Sequence, residues 1–235
     1  MKLDKIVGQF SALIAGVVTF VFVFGMYLSM KGFEFLPDGR LVLVKEANAS
    51  ENKPKAIDAN LVLPTGFVMG DKNAKASIYE FSSFNCFHCA KFHLNILPEI
   101  KKEFIDTGKA NLVFVSFPLD AKSMQGALVA SCLPENKRFA FINKVFENQR
   151  KWGISSKTGE YFQKYALEYG MSEKDFNQCL KDEKKASDIL ANRQDAMKNF
   201  NIEGTPSFLI VKGKERFMFE GIPSLKNLSE ILNKN

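Results

Sequence analysis

Two cysteines, Cys86 and Cys89, stand where an apolar, strand-like stretch turns into a helical one. Before them, residues 76–84 hold Ile78, Tyr79, Phe81 and Phe84 in a short run of strand length. After them, residues 90–97 read as helix, with Phe92, Ile96 and Leu97 apolar. A strand that feeds directly into a helix puts Cys86 at the helix N-terminus. Unpaired N–H groups and the helix dipole favour an anion there. For cysteine that anion is the thiolate, the form that attacks disulfides and leaves from them. The C-x-x-C spacing alone also serves zinc sites.

A second feature narrows the reading. Gly204-Thr205-Pro206-Ser207-Phe208 opens the apolar run 208–211 far downstream. Proline is tolerated at the first residue of a strand, and a turn is where a cis X-Pro bond is expected. With both features in hand, the chain resembles the DsbA-type thiol:disulfide oxidoreductases of the thioredoxin superfamily, including their membrane-anchored branch. Residues 80–89, Glu-Phe-Ser-Ser-Phe-Asn-Cys-Phe-His-Cys, are close to that family's E-F-x-S-x-x-C-P-H-C. The resemblance covers roughly residues 66–235. One departure is Phe87, where the family usually has proline; Phe87 does not fix φ as proline would.

The resemblance implies roles for particular residues. Cys86 is the nucleophile, and Cys89, one turn on, the buried resolving thiol. A free cysteine has a pKa of about 8.5 and that of DsbA about 3.5. The difference is worth roughly 7 kcal/mol in favour of the thiolate. A stabilised thiolate stabilises the reduced enzyme and makes its disulfide oxidising. His88, on the exposed first turn, is expected to stabilise the Cys86 thiolate as an imidazolium or N–H donor. His93 is read as a helix-surface or packing residue. Glu80 lies six residues before Cys86 on an apolar strand, where a buried carboxylate is costly; the family's acid at this place serves proton transfer to the buried thiol. Thr205, Pro206 and Phe87 form the substrate-binding wall, where an extended client segment pairs with backbone. Threonine before the proline keeps isomerase activity open. Cys132 and Cys179 complete the four cysteines. Either they form a structural disulfide, as in some DsbA-like relatives, or they are two buried thiols that never meet.

The order of elements points to an α/β chain with a thioredoxin fold and a helical insertion. Strands are expected at 67–69, 76–84 and 111–118, with a helix over 87–107 that Pro98 kinks or breaks. Residues 121–201 read as helical, with breaks at Pro134, Trp152-Gly153 and Gly170-Met171-Ser172. A hairpin over 207–219 and a final helix with Leu225, Leu228, Ile231 and Leu232 on one face close the chain. The divisions are 1–30, 31–65 as a tether, 66–120 and 202–235 as the halves of the thioredoxin fold, and 121–201 as the insertion.

Residues 6–30 are almost uninterruptedly apolar and contain no charge. As a helix they span about 37 Å, enough to cross a hydrocarbon core of about 30 Å. The run is longer than the apolar core of a cleaved signal, about 7–15 residues, and no small-x-small site ends it. It is therefore read as a transmembrane anchor at the bacterial inner membrane, with the catalytic part facing the periplasm. The alternative is a cleaved signal and a free periplasmic protein. An oxidising compartment suits a dithiol oxidant. The net charge is +6, but no arginine-rich or basic-aromatic run marks a nucleic-acid binder. The expected partners are reduced, folding client proteins and, by resemblance, a DsbB-like quinone-coupled membrane reoxidant. No cofactor or metal is expected. The competing functions are a disulfide isomerase or reductase on the same fold, and a metal-binding module using Cys86, Cys89 and a histidine.

Overall fold

The computed structural model describes residues 54–234, and the backbone alone of 33–35 and 41–43. The chain divides into two compact units, Met1–Glu51 and Asn52–Asn235. In the first, β1 (Phe33–Phe35) pairs antiparallel with β2 (Leu41–Leu43). The expected membrane-spanning helix over 6–30 lies outside the described residues. Among the described residues, no helix is long and apolar enough to cross a membrane.

The second unit is built on a six-stranded sheet of β3 (Lys55–Ala56), β4 (Phe67–Met69), β5 (Ala76–Ser82), β6 (Ala110–Ser116), β7 (Ser207–Lys212) and β8 (Glu215–Glu220). Their order across the sheet is β3-β8-β7-β5-β6-β4. Only β5 and β6 run parallel; the other neighbours are antiparallel. The sheet recruits residues assigned above to the tether. Lys55–Ala56 pairs with β8, and Ile57, Leu61 and Leu63 pack on the sheet.

Alternation along the central strands sorts the core into two faces. Ile78, Leu112, Phe208 and Ile210 face one way, against Phe92, Ile100 and Phe104 of the first helical stretch and Leu228 and Ile231 of the last helix. Phe81, Val113, Val115 and Leu209 face the other way, against Ala196 and Phe200. Glu80 lies in register between Phe114 and Phe208, on the central strand, with its side chain fully buried.

The helix expected over 87–107 is continuous but not uniformly α. It runs as α1 (Phe87–Lys91), a π-helical turn (Phe92–Ile96), α2 (Leu97–Ile100) and a second π-helical turn (Lys101–Ile105). Pro98 is the second residue of α2, in the first turn after the join, where its missing N–H costs least. The insertion contains α3 (Ala121–Cys132), α4 (Glu135–Glu147), α5 (Gln149–Gly153), α6 (Thr158–Glu168), α7 (Glu173–Cys179) and α8 (Glu183–Phe200). Its core is aromatic: Phe141, Phe146, Trp152 and Phe162 are buried together with Phe84. Burying each such side chain is worth about 1.5–3 kcal/mol. Gly126 lets α3 approach Phe84, since a Cβ there would come within 2.8 Å of that ring. The break between α7 and α8 has no Gly or Pro; Asp182 makes it by capping α8 through the N–H of Lys185 at 2.9 Å. Helix α8 ends at Asn201 in the left-handed conformation, φ 53°. The chain then enters the Thr205-Pro206 loop, and α9 (Leu225–Leu232), capped by Ser224, closes the fold.

Candidate active site

Strand β5 delivers Ser82, Ser83 and Phe84 into the interior, and Cys86 follows as the N-cap of α1, extended at φ −83°, ψ 119°. Its Sγ accepts a hydrogen bond from the Cys89 N–H at 3.4 Å, as an N-cap side chain should. Cys86 is half-buried, Cys89 fully buried, and both are free thiols. Phe87 and His88 ride on the outer turn, and Phe87 is 57% exposed. The Thr205–Pro206 peptide is cis, and the Thr205 carbonyl accepts from the Cys86 thiol at 3.2 Å. Residues 119 positions apart thus meet at one sulfur.

The environment drives the two thiols in opposite directions. Cys86 is lowered to about 6, first by the hydrogen bond from the Cys89 side chain. Burial opposes this, while the Thr205 side chain and the backbone N–H groups of Cys89 and His88 add to it. Cys89 is pushed well above the ordinary thiol range, first by burial, then by its bond to Cys86 and the charge of Glu80; the Ser82 hydroxyl opposes. Near neutral pH the pair is therefore one thiolate and one thiol sharing a proton's hydrogen bond. That is the state needed to exchange with an incoming disulfide and to leave from a mixed one.

His88 acts on Cys86 through its backbone N–H; its imidazole is exposed and lies edge-on to Phe87, centroids 5.7 Å apart. Glu80 acts on Cys89 through its charge, and it has a partner of its own. Its Oε2 lies 2.9 Å from His93 Nε2, both side chains fully buried. His93 Nδ1 lies 3.3 Å from Asn143 Oδ1 on α4. His93 is a packing residue, as read from sequence, but one whose two ring nitrogens are both engaged. The available signal was its spacing: four residues after Cys89, it shares that residue's buried helix face.

Sequence reasoning missed the cradle that the insertion builds around residues 83–86. Gln149 donates to the carbonyls of Phe84 at 2.6 Å and Cys86 at 3.0 Å. Ser123 Oγ accepts from the Asn85 N–H at 3.1 Å and from Ser83 Oγ at 2.8 Å. Asp120 accepts from the Asn85 amide at 2.5 Å and caps α3 through the Ser123 N–H. No local pattern ties such residues to the cysteines, since each reaches its partner in residues 83–86 from 35 or more positions away. The second cysteine pair is bridged: Cys132–Cys179, Cα atoms 6.2 Å apart. Among the described residues, no group of three His, Cys, Asp or Glu side chains is placed to hold a metal ion.

A thioredoxin fold with a helical insertion and a C-x-x-C dithiol at a helix start defines the thiol-redox class of the superfamily. Residues 63–234 match a thioredoxin family model, and the chain belongs to that family. It is similar to the crystal structure of Wolbachia pipientis alpha-DsbA1, with a TM-score of 0.65 and 29% identity over 74% of this chain and 92% of that one. It shares the fold of Bacillus subtilis BdbD in its oxidised form, with a TM-score of 0.64 and 21% identity over 76% of this chain and 97% of that one. It is 31% identical over 168 residues to a Rickettsia prowazekii protein provisionally named a protein-disulfide oxidoreductase. That match covers 71% of this chain and 60% of the relative's length.

Proposed function

We propose that the chain is a DsbA-like protein-disulfide oxidoreductase that passes the Cys86–Cys89 disulfide to client proteins. The observation that carries this reading is the placement of the two thiols: Cys86 half-buried at the start of α1 beside the Thr205 carbonyl, and Cys89 fully buried behind it, which drives the first thiol's pKa down and the second's up. A client thiolate attacks Cys86 Sγ, and the electron pair of the Cys86–Cys89 bond goes to Cys89, which takes a proton. A second client thiolate attacks the client sulfur of the mixed disulfide, and Cys86 leaves as a thiolate. The two client thiols lose two electrons and two protons, one proton going to Cys89 and one to solvent, and the enzyme ends reduced, with Cys86 as thiolate and Cys89 as thiol. A leaving group with a low pKa departs fast, so the second step favours release of oxidised client.

Oxidase is preferred to isomerase because a stabilised Cys86 thiolate stabilises the reduced enzyme and makes its disulfide the stronger oxidant. Thr205 and Pro206 form the docking wall beside Cys86, and exposed Phe87, the residue after Cys86, adds apolar surface for the client. The apolar run 6–30 anchors the chain in the bacterial inner membrane with residues 54–234 on the periplasmic side. A DsbB-like membrane partner reoxidises the dithiol. The deciding experiment equilibrates the full chain against reduced and oxidised glutathione and reads the Cys86–Cys89 state. Equilibrium far toward the dithiol, as for about −120 mV, supports the oxidase; a value near −270 mV makes it a reductase.

A further inference from the structure

Apolar side chains scattered singly over a surface need no explanation. Among the described residues, eight large apolar side chains are exposed, and three of them border residues 85–87: Phe87 itself at 57%, Leu119 at 51% and Ile154 at 90%. We propose that Ile154, on the helical insertion, together with Leu119, at its entry, forms a specificity-determining lip for the exchange reaction. The lip selects client segments with a large apolar side chain within about four residues of the cysteine being attached to Cys86. The inference rests on the exchange reading and deepens it by naming a substrate class.

Placement is the first observation. Asn85 immediately precedes Cys86, and two segments close on its side chain. Its amide donates to Asp120 Oδ2 at 2.5 Å, and Leu119 is the residue before Asp120. Leu119 is tied in through its own N–H, which donates to Ser83 Oγ at 3.4 Å. On the insertion, a Cβ added at Gly153 would come within 3.5 Å of Asn85 Oδ1, and Ile154 is the next residue. Gln149, at the start of the same helix α5, donates to the Cys86 carbonyl at 3.0 Å. During exchange the client sulfur is bonded to Cys86 Sγ, so the client backbone on either side of its cysteine runs over the residues around Cys86. An extended chain advances about 3.3 Å per residue, and about three or four residues span the distance to Ile154.

The second observation is that the turn carrying Ile154 is held from both sides. Lys122 Nζ donates to the carbonyl of Gly153 at 2.6 Å and to that of Ser155 at 3.0 Å, the residues before and after Ile154. Thr158 Oγ1 lies 2.9 Å from the Trp152 carbonyl and 3.1 Å from that of Ser155, and Trp152 is fully buried. A turn fixed at Trp152, Gly153 and Ser155 leaves Ile154 no loose backbone with which to fold its side chain away from water. Apolar surface held ready in this way loses little conformational freedom on binding. Lys122 lies in the first turn of α3, where the helix dipole disfavours a cation. Its two bonds to the turn account for its place, which makes Lys122 the positioning residue of the lip.

The chemistry of the client supplies the occupant. Cysteine is among the most buried residue types of folded proteins. A reduced chain that has not yet folded therefore presents its cysteines within segments destined for a core. In an extended segment, alternate residues share the face of the cysteine. The side chain four positions along is thus turned to the same side and reaches the lip.

The test uses the oxidised full chain in lipid nanodiscs and two dithiol peptides, identical except for Leu or Ser about four residues before the first cysteine. Acid quenching and mass spectrometry follow peptide oxidation. The readout is the Leu-to-Ser ratio of second-order rate constants, in which a general loss of activity or of folded protein cancels. The parent is expected to favour the Leu peptide by roughly threefold to tenfold, the scale of partial burial of one apolar side chain on an open surface. Ile154→Ser should erase the preference, and Ile154→Leu should keep it. Leu119→Ser should lower it in smaller measure. Lys122→Met leaves Ile154 in place but frees its turn, and should lower the preference part of the way. A parent without the preference, or Ile154→Ser with the parental ratio, would overturn the inference. Sedimentation of the same samples reads the other occupant: a dimer that Ile154→Ser splits, with the ratio unchanged, would give this face to a second copy of the chain. Reduced glutathione tests the exchange reading separately. If it failed to reduce the parent's Cys86–Cys89 disulfide, the exchange mechanism would fall whatever Ile154 does.

Discussion

The two cysteine pairs occupy opposite ends of helices. Cys86 caps the N-terminus of α1, where N–H groups converge on its sulfur. Cys132 is the last residue of α3 and Cys179 the last of α7. Carbonyl groups crowd a helix C-terminus, and the dipole there disfavours a thiolate. The first pair also faces a loop from across the chain through Thr205 and keeps an exposed flank at Phe87 and His88. The second ties two helices of the insertion together, with Cys179 buried. Position, rather than residue type, separates a reactive dithiol from a structural bridge.

Removing each pair should therefore do different things. Cys86→Ser is expected to drop exchange with a peptide disulfide to the uncatalysed background, while unfolding of the reduced protein at pH 5.5, below the Cys86 value of about 6, is little changed. Cys132→Ser/Cys179→Ser should keep exchange and lose about 4 kcal/mol of stability by urea unfolding, for a loop with sequence separation 47. If the double variant lost exchange while staying folded, the second pair would belong to the redox path and the contrast would collapse.

Gln149→Leu tests whether the insertion holds the reactive pair in place. It removes the Gln149 donor from the Phe84 carbonyl and leaves the Cys86 carbonyl only the Ala90 N–H, and it should cost about 1–3 kcal/mol. A loss confined to stability, with an unchanged exchange rate, would mean that the cradle supports the fold and not the sulfur. Thr205→Val removes a side chain that helps to lower Cys86. The Cys86 midpoint should move up from about 6, read by alkylation rate against pH.

Much of this was legible because the motif is local. A strand-to-helix C-x-x-C states its own geometry, and the strands at 76–82 and 207–212 follow from short apolar runs. Glu80 could be flagged because a carboxylate among Ile78, Phe81 and Phe84 needs a reason. The helix expected over 87–107 is found over 87–105, but its π turns are not legible, because nothing in residue spacing distinguishes them. His93 as the partner of Glu80 was not legible: the contact joins a helix face to a strand face, and only the packed core decides which polar groups meet. Gln149, Ser123 and Asp120 were hidden for the same reason. The strand at Lys55–Ala56 has no apolar pattern; it pairs through backbone at the exposed edge of β8.

The contrast between the pairs also has a pH signature. The folded Cys86 value lies below that of an unfolded thiol, about 8.5. The thiolate therefore stabilises the reduced protein fully above that value, and the gain is lost as pH falls through about 6. Urea midpoints of the reduced protein, compared with Cys86→Ser, should diverge at pH 8.5 and converge by pH 5.5.

The most direct measurement is the rate of iodoacetamide alkylation at Cys86 in the reduced protein, from pH 4 to pH 10, with the labelled site read by peptide mapping. A single midpoint near 6 at Cys86, with Cys89 unlabelled throughout the neutral range, is expected from the helix-start geometry and the buried second thiol. A Cys86 midpoint near the free-cysteine value of about 8.5, or equal labelling of both sulfurs, would contradict it.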